Sequence, residues 1–257
     1  MTTESEYFNH WLSKFDDTIT EAVRVSVAAS GRQGVDRRLF WASALFTRIC
    51  TSGVSLLSLT PTSRFAGKLL SHYDSSGASA LARSVLDACL MFFYLCIDDV
   101  ADHERDARFK AVYLHDCMSR YRLFRDLGLD DPELTAFKRQ ADDLKAELMQ
   151  VPSIAHMPSK QRASIFRGER WMLIPRTKLL ERMGSDPRQY RAIYGLLSSH
   201  VHNGPMTFMR MEEGDRGRGV ESDFEKGRIG LALEVSDGEV GQAIRGMSAL
   251  FPDIPTR

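Results

Sequence analysis

Two histidines, two residues apart in the stretch YRAIYGLLSSHVHNGP (190–205), are the side chains best suited to acid–base or metal chemistry in this 257-residue chain. On a helix of about 100° per residue, Arg191, Tyr194, Ser198 and His202 fall within about 80° of one another. Tyr190, Ile193, Leu196, Leu197 and Val201 take the opposite arc, with His200 in its middle. A His-x-His pair converges on one metal ion when the backbone is extended, not when it is helical. No His-Glu-x-x-His or carboxylate-rich motif accompanies it, so the pattern argues against a metal centre. His202 has two readings. It is a last-turn histidine that interacts with the helix dipole, or it is a general acid or base near neutral pH with arginine close by to hold an anion. His200, on the apolar arc, reads as a core histidine hydrogen-bonded to a neighbouring helix.

A second place is GASALARSVLDACLMFFYLCIDD (77–99), apolar on nearly every face between Leu81 and Ile97. At about 17 residues, and with charge inside it, this run is too short for a membrane span. Its ionisable residues at neutral pH are Arg83 and Asp87, four apart and therefore on one helical face. Burying either alone would cost several kcal/mol, so each needs a partner. The two form an intrahelical ion pair, or they line an internal cleft as an anchored cation and carboxylate.

The elements that must position these residues are helices. Residues 6–29 place Phe8, Trp11, Leu12, Phe15, Ile19, Val23 and Val27 at three- and four-residue spacings, ended by Ser30-Gly31. Further helices are expected at about 36–59, 75–98, 103–127 and 132–150, the fourth ending at Gly128 and the fifth opening with Asp-Asp-Pro-Glu (130–133). Residues 151–168, with Pro152 and Pro158, read as irregular. A short helix over 176–183 stops at Gly184, and Ser185-Asp186-Pro187 starts the helix that carries the two histidines, which ends at Asn203-Gly204-Pro205. Segments 206–211 and 228–235 can pair as a small β-hairpin, 211–230 reads as a polar glycine-rich loop, and 239–251 reads as a closing helix. The expected fold is all-α, a single multi-helix bundle over 1–257 with a minor β ornament near the C-terminus.

Lys plus Arg and Asp plus Glu number 34 each, so no net charge draws the chain to nucleic acid or an anionic membrane. The N-terminal stretch carries no basic region leading into an apolar run, and no secretory signal is visible. Cys50, Cys89, Cys96 and Cys117 include no C-x-x-C pair and read as reduced core thiols, the usage of a cytoplasmic protein. Gly214, Gly217 and Gly219 lack the strand before and the helix after that a phosphate-binding loop requires. Arg120, Arg122 and Arg125 are partly balanced by Asp116 and Asp126 and read as a solvated face. His72, His103, His115 and His156 form no ligand spacing, and no cofactor is implied.

The order A-R-S-V-L-D-A (Ala82–Ala88), Trp171, Leu179-Leu180, Gly184 and then Y-R-x-x-Y-x-x-L-S-x-x-V-H (Tyr190–His202) resembles a family of uncharacterised bacterial all-helical proteins. More distantly it is similar to the HEPN (higher eukaryote and prokaryote nucleotide-binding) superfamily. The resemblance covers roughly residues 35–205. It implies a helical bundle, often a homodimer, of the kind found in toxin–antitoxin or anti-phage systems. Active HEPN members are metal-independent ribonucleases with an arginine four to six residues before a histidine. Here Arg191 stands nine residues before His200 and eleven before His202, so the sequence departs from that pattern. Arg83 facing His202 could restore the pair in space. The histidine would then take the ribose 2′-OH proton and the arginine would stabilise the phosphoryl oxygens, with Tyr194, Ser198 and Asp87 as orienting groups. The competing and favoured expectation is a non-enzymatic interaction module with a protein partner, in which the same residues fix helix packing.

Overall fold

The computed structural model describes residues 3–32, 36–67, 71–128, 132–202, 204–209, 211, 213 and 216–254. Asp130, Asp131, Asn203 and Gly214, named above, lie outside them. The described residues form eleven α-helices and one π-helical turn, with no strand among them. The all-α expectation therefore stands, and the C-terminal hairpin does not.

The chain groups into two compact units, one of residues Met1–Ile97 with Asp186–Arg257 and one of Asp98–Ser185. The first holds α1 (Glu4–Ala29), α2 (Arg37–Leu59), α3 (Ser75–Phe92) with its π-helical end (Phe93–Ile97), α9 (Pro187–Val201), α10 (Pro205–Phe208) and α11 (Asp223–Leu250). The second holds α4 (Asp102–Asp126), α5 (Pro132–Met149), α6 (Pro152–Ala155), α7 (Ser159–Phe166) and α8 (Arg176–Arg182).

Side-chain oxygens set the helix starts. Thr3 and Glu6 form a capping box on α1. Asp36 accepts from the Arg38 and Leu39 amides, Asp74 from Gly77, Asp186 from Arg188 and Ser222 from Glu225. The prolines of 151–168 do not break the chain as expected. Pro152 occupies the first turn of α6 and Pro158 is the N-cap of α7, positions where a missing amide hydrogen is harmless.

In the first unit, α1 and α2 run antiparallel, with the Gly53 backbone against Ile19 and Phe15. Helix α11 runs parallel to both α1 and α3. Gly230 lies against Tyr7 and Phe8, the Ser75 amide donates to Glu225, and Gly246 lies against Ile97 and Phe92. Phe15, Ile19, Phe46, Leu56, Val85, Ile229 and Leu233 are buried between them. Close approach explains why 228–235 is helical. A Cβ on Gly230 would stand 2.7 Å from the Tyr7 ring, so that glycine serves a helix–helix contact, not a turn. Ile229, Leu233, Val240, Ile244 and Met247 continue at three-, four- and seven-residue spacings, and α11 begins at Asp223 where only 239–251 was expected.

Helix α3 continues into a π-turn at Phe93–Ile97, where the Cys96 carbonyl accepts from Arg38 Nε at 2.7 Å. Helices Arg37–Leu59 and Ser75–Ile97 are long and apolar enough to cross a membrane, and about half of each apolar stretch is buried. The second unit packs Ala107, Ala111 and Leu114 of α4 against Ala141, Leu144 and Leu148 of α5, with Ile154 and Ile165 beside them.

Candidate functional site

Helix α9 lies antiparallel to α3, and that register decides which chemistry-bearing side chains meet. Arg83 and Asp87 form the expected i,i+4 ion pair at 3.2 Å. Tyr194 of α9 completes the group. Its hydroxyl donates to Asp87 Oδ1 at 3.0 Å and accepts from Arg83 Nη2. The Arg83 guanidinium carbon sits 3.9 Å from the centre of the Tyr194 ring. Tyr190, one turn earlier, stacks on Tyr194 with centroids 5.8 Å apart. A cation over an aromatic face, closed by a carboxylate, is a compact clamp between two helices. Arg83 Nε is buried without a hydrogen-bond partner among the described residues.

The clamp makes a measurable prediction. Arg83→Ala should lower stability by about 2 kcal/mol and Tyr194→Phe by about 1 kcal/mol, because the phenylalanine keeps the ring under the guanidinium and loses only the hydroxyl. Urea unfolding of both variants checks this. Equal losses would mean that the ring contact contributes nothing.

The remaining sequence candidates fall elsewhere. His202 is the C-cap residue of α9 and is exposed, and its backbone amide donates to the His200 and Ser198 carbonyls. It stands eight residues beyond Tyr194, about 12 Å along the helix axis. No hydrogen bond or ion pair joins it to Arg83 among the described residues. Arg191 is exposed on the outer side of α9, and Ser198 is partly buried. His200 is the histidine that faces a neighbouring helix. Its Nδ1 lies 3.1 Å from Ser76 Oγ at the start of α3. Burial lowers its pKa, Arg228 pushes in the same direction, and Glu225 and Asp74 oppose the shift. The ring is therefore neutral at pH 7.

Sequence reasoning missed the surroundings of His200. Glu225, fully buried at the start of α11, accepts from the Ser75 amide at 3.2 Å and the Gly217 amide at 2.6 Å. Arg228 follows it three residues later. Nothing local announces these roles, since they arise when the beginnings of α3 and α11 meet the end of α9. The four cysteines are buried free thiols, with Cys50 pushed up to about 12 and Cys89 and Cys117 raised as well, chiefly by burial. Among the described residues, no group of three or more His, Cys, Asp or Glu side chains could hold a metal ion.

The sequence matches a family of unknown function, DUF5677, over residues 39–218. The chain belongs to that family. The DUF5677 match takes in Arg83, Asp87, Tyr194, Ser198 and both histidines of α9, and it leaves α1 and α11 outside. No curated protein and no solved structure matches the chain.

Proposed function

We propose that this DUF5677 chain is a non-enzymatic helical interaction module of a bacterial defence or toxin–antitoxin type system, working in the cytoplasm as a homodimer. The observation that carries this reading is a strip of exposed apolar side chains directly after α9. Val201, Met206, Phe208, Met209 and Met211 all stand in solvent, with Met206 and Met209 each 63% exposed. Exposed apolar side chains rich in methionine are costly to leave wet and are typical of an adaptable contact surface. The clamp supports the same reading. Arg83, Asp87 and Tyr194 are engaged with one another, which suits a rigid scaffold better than a site that must receive a substrate. Buried, reduced cysteines fit the cytoplasm.

The test is the mass of the full chain in solution by light scattering. The wild type is expected as a dimer. Met206→Glu combined with Met209→Glu should weaken self-association about tenfold or more, with the helical content by circular dichroism unchanged because both side chains are already exposed. A monomeric wild type would overturn the homodimer. The same samples, incubated with RNA in chelator, address the HEPN-like metal-independent ribonuclease. Cleavage by the wild type that is lost in Arg83→Ala or His200→Ala would favour that enzyme over the module.

A further inference from the structure

A partly buried cation in the first unit has no hydrogen-bond or ion-pair partner among the described residues. It is Arg228, on the first turns of α11. Its guanidinium carbon lies 5.4 Å from the centre of the Phe224 ring. A second guanidinium, that of Arg216, lies over the same ring at 4.9 Å and is paired with Glu213 at 3.3 Å. Both guanidiniums and the ring they share line one cleft, so two like charges face the same space. Like charges facing one cleft repel each other, and an anion bound in the cleft relieves that repulsion.

The space for such an anion is present. A cleft of about 380 Å³ is lined by Glu4, Arg216, Asp223, Phe224, Gly227 and Arg228, with Leu231 at its edge. Gly227 keeps it clear, since a Cβ there would lie 2.5 Å from Glu4 Oε2. Glu4 and Asp223 belong to the acidic first turns of α1 and α11, where they complement the helix dipoles. Neither is ion-paired to Arg228. Guanidinium groups bind tetrahedral oxyanions through paired N–H donors, and two of them lining one cleft select a dianion over a monoanion.

We propose that this cleft binds a phosphate monoester, its oxygens held by Arg228 and Arg216 over Phe224. The apolar edge formed by Leu231 and Phe224 receives the body of the ester. The carboxylates of Glu4 and Asp223 accept from its hydroxyl or amino groups. None of the residues lining the cleft belongs to the Arg83 clamp.

Titration calorimetry of the full chain with inorganic phosphate, glycerol 3-phosphate, adenosine 5′-monophosphate and acetate tests this. At least one ester should bind saturably and more tightly than inorganic phosphate, and acetate should bind least. Arg228→Gln should weaken the ester about tenfold or more, as expected for loss of a charge-assisted pair of hydrogen bonds. Arg228→Lys, which keeps the charge without the fork, should fall between that variant and the wild type, and Arg139→Gln in the second unit should bind like the wild type. His200 supplies an independent readout. A phosphate on Arg228 offsets the repulsion that this arginine exerts, so the NMR titration of the His200 ring should move to higher pH when the ester is present. Ester binding that is absent at millimolar concentration, or equal in wild type and Arg228→Gln, would overturn the proposal. So would an unmoved His200 titration at saturation.

Discussion

Glu239→Gln is expected to stabilise the protein at pH 8 by up to about 3 kcal/mol and to change little at pH 4. Glu239 stands on α11, and its Oε2 is buried with no hydrogen-bond partner. Burial raises its pKa from the ordinary 4.5 to about 7. Between those two values the folded chain holds a proton that the unfolded chain has released, so this group's contribution is fully present below pH 4.5 and is lost as pH rises through 7. A shift of that size corresponds to about 3 kcal/mol at 1.36 kcal/mol per unit. Glutamine is neutral throughout and escapes the loss, less whatever its own unsatisfied amide costs. Urea unfolding of both proteins at pH 4 and pH 8 gives the answer. A difference that is the same at the two pH values would mean that the carboxyl is solvated in the native state.

Asp98→Asn should be the most damaging single substitution in the second unit, with a loss of about 3–5 kcal/mol. The Asp98 carboxylate, 5% exposed, is 2.7 Å from Arg108, whose side chain is completely buried, and 2.7 Å from Arg182. Glu104 stands farther from Arg108, at 3.5 Å. Arg105 donates to the Asp98 backbone carbonyl at 3.0 Å, so the start of α4 is built around this one residue. Asparagine keeps the shape and removes the charge, which leaves a buried guanidinium without its principal counter-ion. Trp171 is the one tryptophan between residues 98 and 185, and its fluorescence in a chain with Trp11→Phe and Trp41→Phe reports on this unit alone. A loss under about 1 kcal/mol would show that water or the remaining carboxylate compensates. Asp98→Leu combined with Arg108→Met should recover much of the loss, because removing both charges removes the desolvation penalty with them.

Where a feature depends on residues three or four apart, the sequence reveals it. The Arg83–Asp87 pair follows from spacing inside an apolar helix, and the opposed environments of His200 and His202 follow from the wheel of α9. The limits of α1, α2, α8 and α9 are readable because Ser30-Gly31, Asp36, Gly184 and Asp186-Pro187 carry unambiguous stop and start chemistry. What depends on register between helices is hidden. Tyr194 meets Arg83, and His202 does not, because α9 and α3 run antiparallel with His200 opposite Ser76. The start of α11 was obscured by Gly227 and Gly230, whose purpose appears only when Glu4 and Tyr7 of α1 are set against them. Arg228 was unreadable for the same reason, since its isolation is a property of three helix ends meeting.

The pairing of α1 with α11 sets the order in which the chain can be finished during synthesis. Phe8, Phe15, Ile19, Ala22 and Val25 present one apolar face of α1, and α11, made about 200 residues later, lies along that helix. At about 5–20 residues per second, the interval is roughly 10–40 s. During that time residues 98–185, whose core is built from a contiguous stretch, can close on themselves, while the emerging first unit still lacks its last wall. Helix α1 therefore waits for α11, and ribosome-bound chains that stop before residue 223 should be clients for a holding chaperone.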